Sequence, residues 1–181
     1  MPAGRSFPMP ERRLPDEGTL APDFELPGQF GSSVRLSTLC RDGDVLLVFF
    51  PFAFSSVCGT ELTRLRELSA GFARRGMSLL TVSVDTKFAL RAYAEAENLD
   101  FPMLSDFWPH GAVAQLYGVF NQELGRAERG TFLVSSDRRI AARQVGDAAQ
   151  ARDFSQFLAD DAPEAHEAAT DLGQTKSSDQ N

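Results

Sequence analysis

One stretch of the chain, DVLLVFF at 44–50, constrains the fold more than any other. A run of aliphatic and aromatic residues of this length is typical of a strand that is buried on both faces of a sheet. The segment after it, 57–72, repeats leucine and phenylalanine at helical spacing, and 76–85 returns to a strand pattern. Strand, helix and strand in this order predict a βαβ unit and therefore an α/β protein.

The remaining segments continue this alternation. The sequence predicts two short strands with a glycine turn in 23–39, a helix over 86–98, a strand at 101–104 and a short helix within 110–120. It also predicts a hairpin of 130–136 with 140–145, and a last helix within 148–158. We therefore expect an α/β sheet with helices on both faces.

Length and composition fit one compact domain, because the chain has 181 residues of which 43% are hydrophobic. We predict a domain over 19–159, a flexible N-terminal extension over 1–18 and a disordered acidic tail over 160–181, where acidic residues outnumber basic ones. The net charge of −7 argues against nucleic-acid binding. The longest apolar run, 45–54, is too short to span a membrane. The N-terminus has no apolar region typical of a secretory signal, so we expect a cytoplasmic protein.

The chain has two cysteines, and Cys58 falls in the first turn of the helix that follows the buried strand. The free backbone N–H groups of a helix N-terminus favour a thiolate, and Ser55 or Ser56 is positioned to cap the helix. Helical spacing turns Cys58 toward the apolar side, where Pro51, Phe52 and Phe54 can form the walls of a substrate pocket. Position alone leaves open a second interpretation, in which Cys58 is a small buried hydrophobic residue.

The spacing Pro51-x-x-x-Ser55-x-x-Cys58 decides between these interpretations, because it resembles the active-site loop Pro-x-x-x-Thr/Ser-x-x-Cys of the peroxiredoxins. APDFEL (21–26), VLLVFFPFAFSSVCGTEL (45–62) and RGTFLV (129–134) are also similar to segments of that family, in the same order. FPMLSDFWPHGAVAQLYGVF (101–120) resembles the alkyl hydroperoxide reductase E subgroup, the one-cysteine peroxiredoxins of actinobacteria. The resemblance covers about residues 20–158. It implies a thioredoxin-like fold, with a central mixed sheet flanked by helices and an N-terminal β-hairpin addition.

The resemblance implies a thiol-dependent peroxidase in which Cys58 reduces hydrogen peroxide or organic hydroperoxides and becomes a sulfenic acid. An external thiol, namely mycothiol, mycoredoxin or a thioredoxin-like protein, would then restore the thiol. The subgroup further implies a homodimer or a larger homo-oligomer. We expect neither a cofactor nor a metal, because the sequence has no glycine-rich nucleotide-binding pattern and no clustered metal ligands.

The resemblance also implies roles for other residues. Arg129 matches the family's arginine, which holds both the thiolate and the peroxide, and the alternative is a solvated arginine at a strand start. Ser55 replaces the commoner threonine but keeps the hydroxyl. Glu61 is expected to hold the arginine, with helix-end electrostatics as the alternative. Trp108 is expected to shape the substrate approach or a subunit contact, whereas His110 is better explained by a structural role.

Two other classes of function also depend on a reactive cysteine. A dithiol oxidoreductase of the thioredoxin type requires Cys-x-x-Cys, and the corresponding position here is Glu61. A peroxide sensor or holdase that uses the same cysteine is compatible with the sequence and remains the alternative. The second cysteine, Cys40, precedes the buried strand, so we expect it to have a structural role rather than to form an intrachain disulfide with Cys58.

Overall fold

The computed structural model describes residues 13–146 and 152–158. The strands in chain order are β1 (Glu25–Pro27), β2 (Ser33–Arg35), β3 (Val45–Phe49), β4 (Ser78–Ser83), β5 (Met103–Ser105), β6 (Phe120–Asn121), β7 (Arg126–Ala127), β8 (Gly130–Val134) and β9 (Ile140–Val145). The α-helices are α1 (Leu36–Leu39), α2 (Ser56–Arg74), α3 (Lys87–Glu97) and α4 (Ala112–Leu116). A short 3-10 helix spans Ser155–Leu158.

The central sheet has five strands in the order β5-β4-β3-β8-β9. β3 pairs in parallel with β4, and β4 in parallel with β5, whereas β8 pairs in an antiparallel sense with both β3 and β9. The predicted mixed sheet is therefore confirmed. β1 and β2 form a separate antiparallel hairpin, as expected for the N-terminal addition.

The β3 strand lies at the centre of the sheet, and all five of its residues are buried. Val45, Leu47 and Phe49 face one core cluster, which also contains residues of α1 and α4. Leu46 and Val48 face the other cluster, which is formed with α2, α3 and the 3-10 helix. Helices therefore cover both faces of the sheet, as the sequence predicted.

Three short elements differ from the sequence-based expectations. Residues 36–39 form helix α1 and not the end of a strand, and Leu36 is fully buried. Residues 120–127 contain a small β6–β7 hairpin that the sequence did not indicate. The predicted helix over 148–158 falls partly outside the described residues, and its described end is a 3-10 helix. Each of these elements has at most four residues in its regular part, which is too few for a hydrophobic period to identify.

The predicted extension and tail are described only in part. Residues 1–12 and 159–181 lie outside the described residues, so the predicted flexibility and disorder remain predictions. Residues 13–18 contact the sheet: Gly18 N donates to Ile140 O at 2.8 Å, and Arg143 on β9 donates to Pro15 O at 2.8 Å. No helix in the described ranges has the length and apolar character needed to cross a membrane.

Candidate active site

The C-terminal ends of β3, β4 and β5 lie on the same side of the sheet, because these three strands are parallel. This row of strand ends is the edge at which the candidate site lies. The antiparallel strand β8 begins at the same edge, since Thr131 pairs with Val48. This register brings the loop 50–55, the first turn of α2, and Arg129 to the same edge. Residues that are far apart in the sequence are thus gathered where a parallel sheet usually holds its active site.

Cys58 is the third residue of α2, so the predicted position in the first turn of a helix is confirmed. Ser55 occupies the N-cap position, and its carbonyl accepts the first helical hydrogen bond from Gly59 N at 3.0 Å. The Ser55 hydroxyl does not cap the helix, contrary to expectation, and instead donates to Phe52 O at 3.1 Å. Leu62 and Leu65 are buried, so the side of α2 predicted to be apolar does face the core. That the Cys58 side chain shares this side remains a prediction.

The loop before α2 combines buried and exposed side chains. Pro51 is buried, whereas Phe52 and Phe54 are 39% and 63% exposed. Phe54 has a positive φ of 60°, and its ring packs edge-on against Tyr93 of α3 with centroids 4.8 Å apart. The backbone N–H of Ala53 donates to the Asp85 carboxylate at 2.8 Å. The loop that carries the predicted pocket residues is therefore attached to the elements that follow β4.

Glu61 lies one turn after Cys58, and only 2% of its surface is exposed. Arg129 is also buried, and its Nη1 atom lies 3.7 Å from Glu61 Oε1. A second arginine, Arg152, is much closer: its Nη2 donates to Glu61 Oε2 at 2.9 Å, and its Nε donates to Oε1 at 3.2 Å. The backbone N–H of Arg152 also donates to Oε1 at 2.9 Å. A buried carboxylate thus lies between two buried guanidinium groups, as burial of a charge requires.

Arg152 is the site residue that sequence reasoning missed. Its Nη1 also donates to Gly130 O at 3.0 Å and to Thr131 Oγ1 at 3.1 Å, so it links α2 to the start of β8. The local sequence around Arg152 resembles an ordinary amphipathic segment with a solvated arginine. Its partner Glu61 lies 91 residues earlier, and no local pattern reveals a contact over such a separation.

Trp108 and His110 lie in the loop that leaves β5 at the same edge of the sheet. Trp108 is 80% exposed and precedes Pro109 through a cis peptide bond. The His110 ring is within 2.7 Å of Gly125 O and packs edge-on against Phe120. These contacts show that His110 joins this loop to the β6–β7 hairpin, which is the structural role expected for it. Among the described residues, no group of three His, Cys, Asp or Glu side chains could hold a metal ion.

The mixed sheet has a cysteine in the first turn of the helix after its central strand and a buried arginine at the same edge. Together these features define the class of thioredoxin-like thiol peroxidases. A family model described as the AhpC/TSA family matches residues 18–143. The chain therefore belongs to the AhpC/TSA family, and it is a peroxiredoxin that reduces peroxides with a thiol.

Individual relatives agree with this membership. Alkyl hydroperoxide reductase E of Mycobacterium tuberculosis is 41% identical over 136 residues, which cover 75% of this chain and 89% of the relative. The crystal structure of the peroxidoxin BcpB from M. tuberculosis superposes with a TM-score of 0.68 at 35% identity, covering 72% of this chain and 86% of that one. For Enterococcus faecalis AhpC the TM-score is 0.73 at 26% identity, with coverages of 80% and 89%.

Proposed function

We propose that Cys58 is the residue that reacts with peroxide. The observation that supports this assignment is its place in the first turn of α2, at the sheet edge where Arg129 and Glu61 also lie. The free N–H groups of that turn favour a negatively charged sulfur, because they have no partners within the helix. The other described cysteine, Cys40, is buried in the core and does not lie at this edge.

In the proposed reaction, the Cys58 thiolate attacks the terminal oxygen of the hydroperoxide. A sulfur–oxygen bond forms as the oxygen–oxygen bond breaks, and the departing oxygen leaves with a proton as water or an alcohol. Arg129 holds the thiolate and the peroxide through its planar set of donors, and the Ser55 hydroxyl binds the peroxide. Backbone N–H groups at the start of α2 stabilise the charge that develops on oxygen.

Supporting roles follow from the same geometry. Glu61 and Arg152 form a buried pair beside Arg129, and this pair fixes the carboxylate against which the Arg129 guanidinium packs. Pro51 shields the sulfur from water, because proline has no N–H group and a rigid ring. Phe52, Phe54 and Trp108 provide apolar surface for the organic part of a hydroperoxide or for a subunit contact.

The product of the first step is a Cys58 sulfenic acid, which an external thiol reduces. One thiol forms a mixed disulfide and releases water, and a second thiol releases Cys58 and forms the external disulfide. We propose mycothiol, mycoredoxin or a thioredoxin-like protein as the source of these thiols, and the cytoplasm as the location. The exposed aromatic residues at the active-site edge favour a homodimer or a larger homo-oligomer. Sedimentation velocity measures this oligomeric state.

The decisive experiment compares Cys58→Ser with the wild-type protein and with Cys40→Ser as the matched control. Cys58→Ser should abolish peroxide consumption in the presence of a thiol, because a serine hydroxyl is not ionised at neutral pH. Cys40→Ser should keep peroxide consumption, and circular dichroism should show an unchanged fold for Cys58→Ser. Turnover by Cys58→Ser would refute the assignment. A single stoichiometric oxidation of the wild type, followed by stable binding to another protein, would favour the sensor or holdase.

A further inference from the structure

We propose that Asp85 is a positioning residue for the active-site loop, an inference that rests on the assignment of Cys58 as the reactive cysteine. Asp85 lies between the end of β4 and the start of α3, and its side chain is partly buried. The sequence patterns did not identify Asp85, because about 30 residues of chain separate it from the loop.

The contacts of Asp85 join three segments at the active-site edge. Its Oδ2 atom accepts from Ala53 N at 2.8 Å and from Ser83 Oγ at 2.8 Å. Its own N–H donates to Ser83 Oγ at 3.2 Å. Its backbone carbonyl accepts from Ser105 Oγ, at the end of β5, at 2.6 Å. One residue therefore connects the loop after β3 with the ends of β4 and β5.

The bond to Ala53 is the important one, because of where Ala53 lies. It is in the middle of the loop 50–55, between Pro51 and Ser55, and α2 begins immediately afterwards. An ionised acceptor makes a stronger hydrogen bond to an N–H than a neutral acceptor does. The same loop is also attached by the ring contact of Phe54 with Tyr93 and by the bond from Phe50 N to Val82 O. Asp85 thus supplies a polar attachment at the centre of the loop.

Asp85 itself is held in a fixed position from both sides. Val84, the residue before it, is buried, and Thr86, the residue after it, caps α3 by accepting from Ala89 N at 3.3 Å. The attachment point therefore belongs to the rigid part of the fold. Loss of the bond should let the loop move relative to β4, which displaces Ser55 and the first turn of α2 together. Displacement of reacting groups by about 1 Å can reduce a rate by roughly 100-fold.

The test uses Asp85→Ala, which removes the acceptor, and Asp85→Asn, which removes the charge but keeps an oxygen acceptor. The rate constant for oxidation of reduced Cys58 by peroxide should fall roughly 10–100-fold in Asp85→Ala. It should be largely restored in Asp85→Asn. An effect that comes only from charge would instead be equal in both variants, so equal rates would overturn the positioning role. Wild-type rates in Asp85→Ala would overturn it as well.

Asp137→Ala is a matched control. Asp137 also accepts from the serine two residues earlier, Ser135, and from a backbone N–H, that of Arg139, at 3.3 Å. It lies in the turn between β8 and β9, at the opposite edge of the sheet, because Val134 pairs with Val45. The rate constant for Cys58 oxidation in Asp137→Ala should equal that of the wild type. Melting temperatures of all variants identify any general loss of folding, and Asp85→Ser replaces Asp85→Ala if the latter does not fold.

Two further measurements do not depend on peroxide chemistry. Amide hydrogen exchange of peptides that cover 50–55 should accelerate in Asp85→Ala and remain slow in Asp85→Asn. The pH dependence of Cys58 alkylation by iodoacetamide should shift in Asp85→Ala and not in Asp137→Ala. If the wild type failed to consume peroxide, the assignment of Cys58 would fail, and unchanged exchange of the loop in Asp85→Ala would still refute the role of Asp85.

Discussion

The Arg129 side chain is 7% exposed at the edge of the sheet where α2 begins, and the Glu61 carboxylate lies beside its guanidinium group. Replacement by alanine removes the charge-assisted hydrogen bonds proposed for the thiolate and the peroxide. Arg129→Ala should therefore slow Cys58 oxidation by about 10–100-fold, which corresponds to about 1.5–3 kcal/mol. The fraction of Cys58 present as thiolate at a given pH should also fall. The thiolate absorbance near 240 nm measures this fraction.

The matched control for this prediction is Arg143→Ala. Arg143 is likewise ion-paired, with Asp16 at 3.2 Å, but it is only partly buried and lies on the outermost strand β9, away from the site. Its replacement should leave the oxidation rate and the thiolate titration unchanged. Equal rates for Arg129→Ala and the wild type would mean that Arg129 has only a structural role in the ion-pair cluster.

The residues of the candidate site differ in how far the sequence could predict them. Cys58, Ser55 and Pro51 could be found because they lie within one short motif. Glu61 could be found because it lies one turn from Cys58. Asp85 and Arg152 could not be found, since each acts through a partner that is distant in the sequence and each looks locally like an ordinary surface residue. Their roles depend on the register of the sheet and on the path of the chain after β9.

At the scale of elements, the short helix α4 depends on a buried carboxylate. Asp106 is 1% exposed, and its two oxygens accept from Val113 N at 3.1 Å and from Ala114 N at 2.9 Å. Burial raises the pKa of Asp106 to about 6, against the opposing effect of these hydrogen bonds and of His110. The folded protein therefore binds a proton at this group more tightly than the unfolded chain does.

The sign of the resulting pH dependence follows from this difference. Because the pKa of Asp106 is higher in the folded state, its contribution to stability is present below about pH 4 and is lost as the pH rises through about 6. Free energies of unfolding for the wild type and Asp106→Asn, measured in urea at pH 5, 6, 7 and 8, isolate this contribution. Their difference should shift in favour of Asp106→Asn by about 1.3 kcal/mol between pH 5 and 7. A difference that does not change with pH would contradict the prediction.

The elements themselves show where sequence patterns are informative. The long, strongly periodic segments α2 and α3 and the apolar strands β3 and β4 lie within about two residues of their predicted positions. The errors fall on α1, the β6–β7 hairpin and the 3-10 helix, whose regular parts have two to four residues. Tertiary contacts determine such short elements, for example the burial of Leu36 in the core beneath β3.

At the scale of the whole molecule, the sheet separates the two cysteines. Cys40 is 2% exposed and belongs to the core cluster that faces α1 and α4, whereas α2, which carries Cys58, packs on the opposite face. Burial also raises the pKa of the Cys40 thiol to about 11, so it is protonated at neutral pH. Cys40 is therefore poorly placed and poorly ionised for attack on a Cys58 sulfenic acid.

This separation predicts the state of each thiol after oxidation. One equivalent of peroxide added to the reduced protein should give a sulfenic acid that dimedone traps, while Cys40 remains a free thiol by mass spectrometry. The Cys40→Ser variant should give the same dimedone adduct in the same yield. Rapid loss of two hydrogens from the monomer without dimedone labelling would show instead that the two cysteines form an intrachain disulfide.

The segment 152–158 has a consequence for where the folded unit ends. The family match stops at residue 143, yet Arg152, Phe154 and Phe157 are buried beyond it, and Arg152 binds both Glu61 and the start of β8. A fragment cut after β9 would contain all nine strands of the described residues and the residues of the peroxide-binding motif. It would nevertheless expose apolar core and leave the Glu61 carboxylate without its closest cation. The segment 152–158 therefore belongs to the folded domain, so truncated recombinant versions of this enzyme should end no earlier than Leu158.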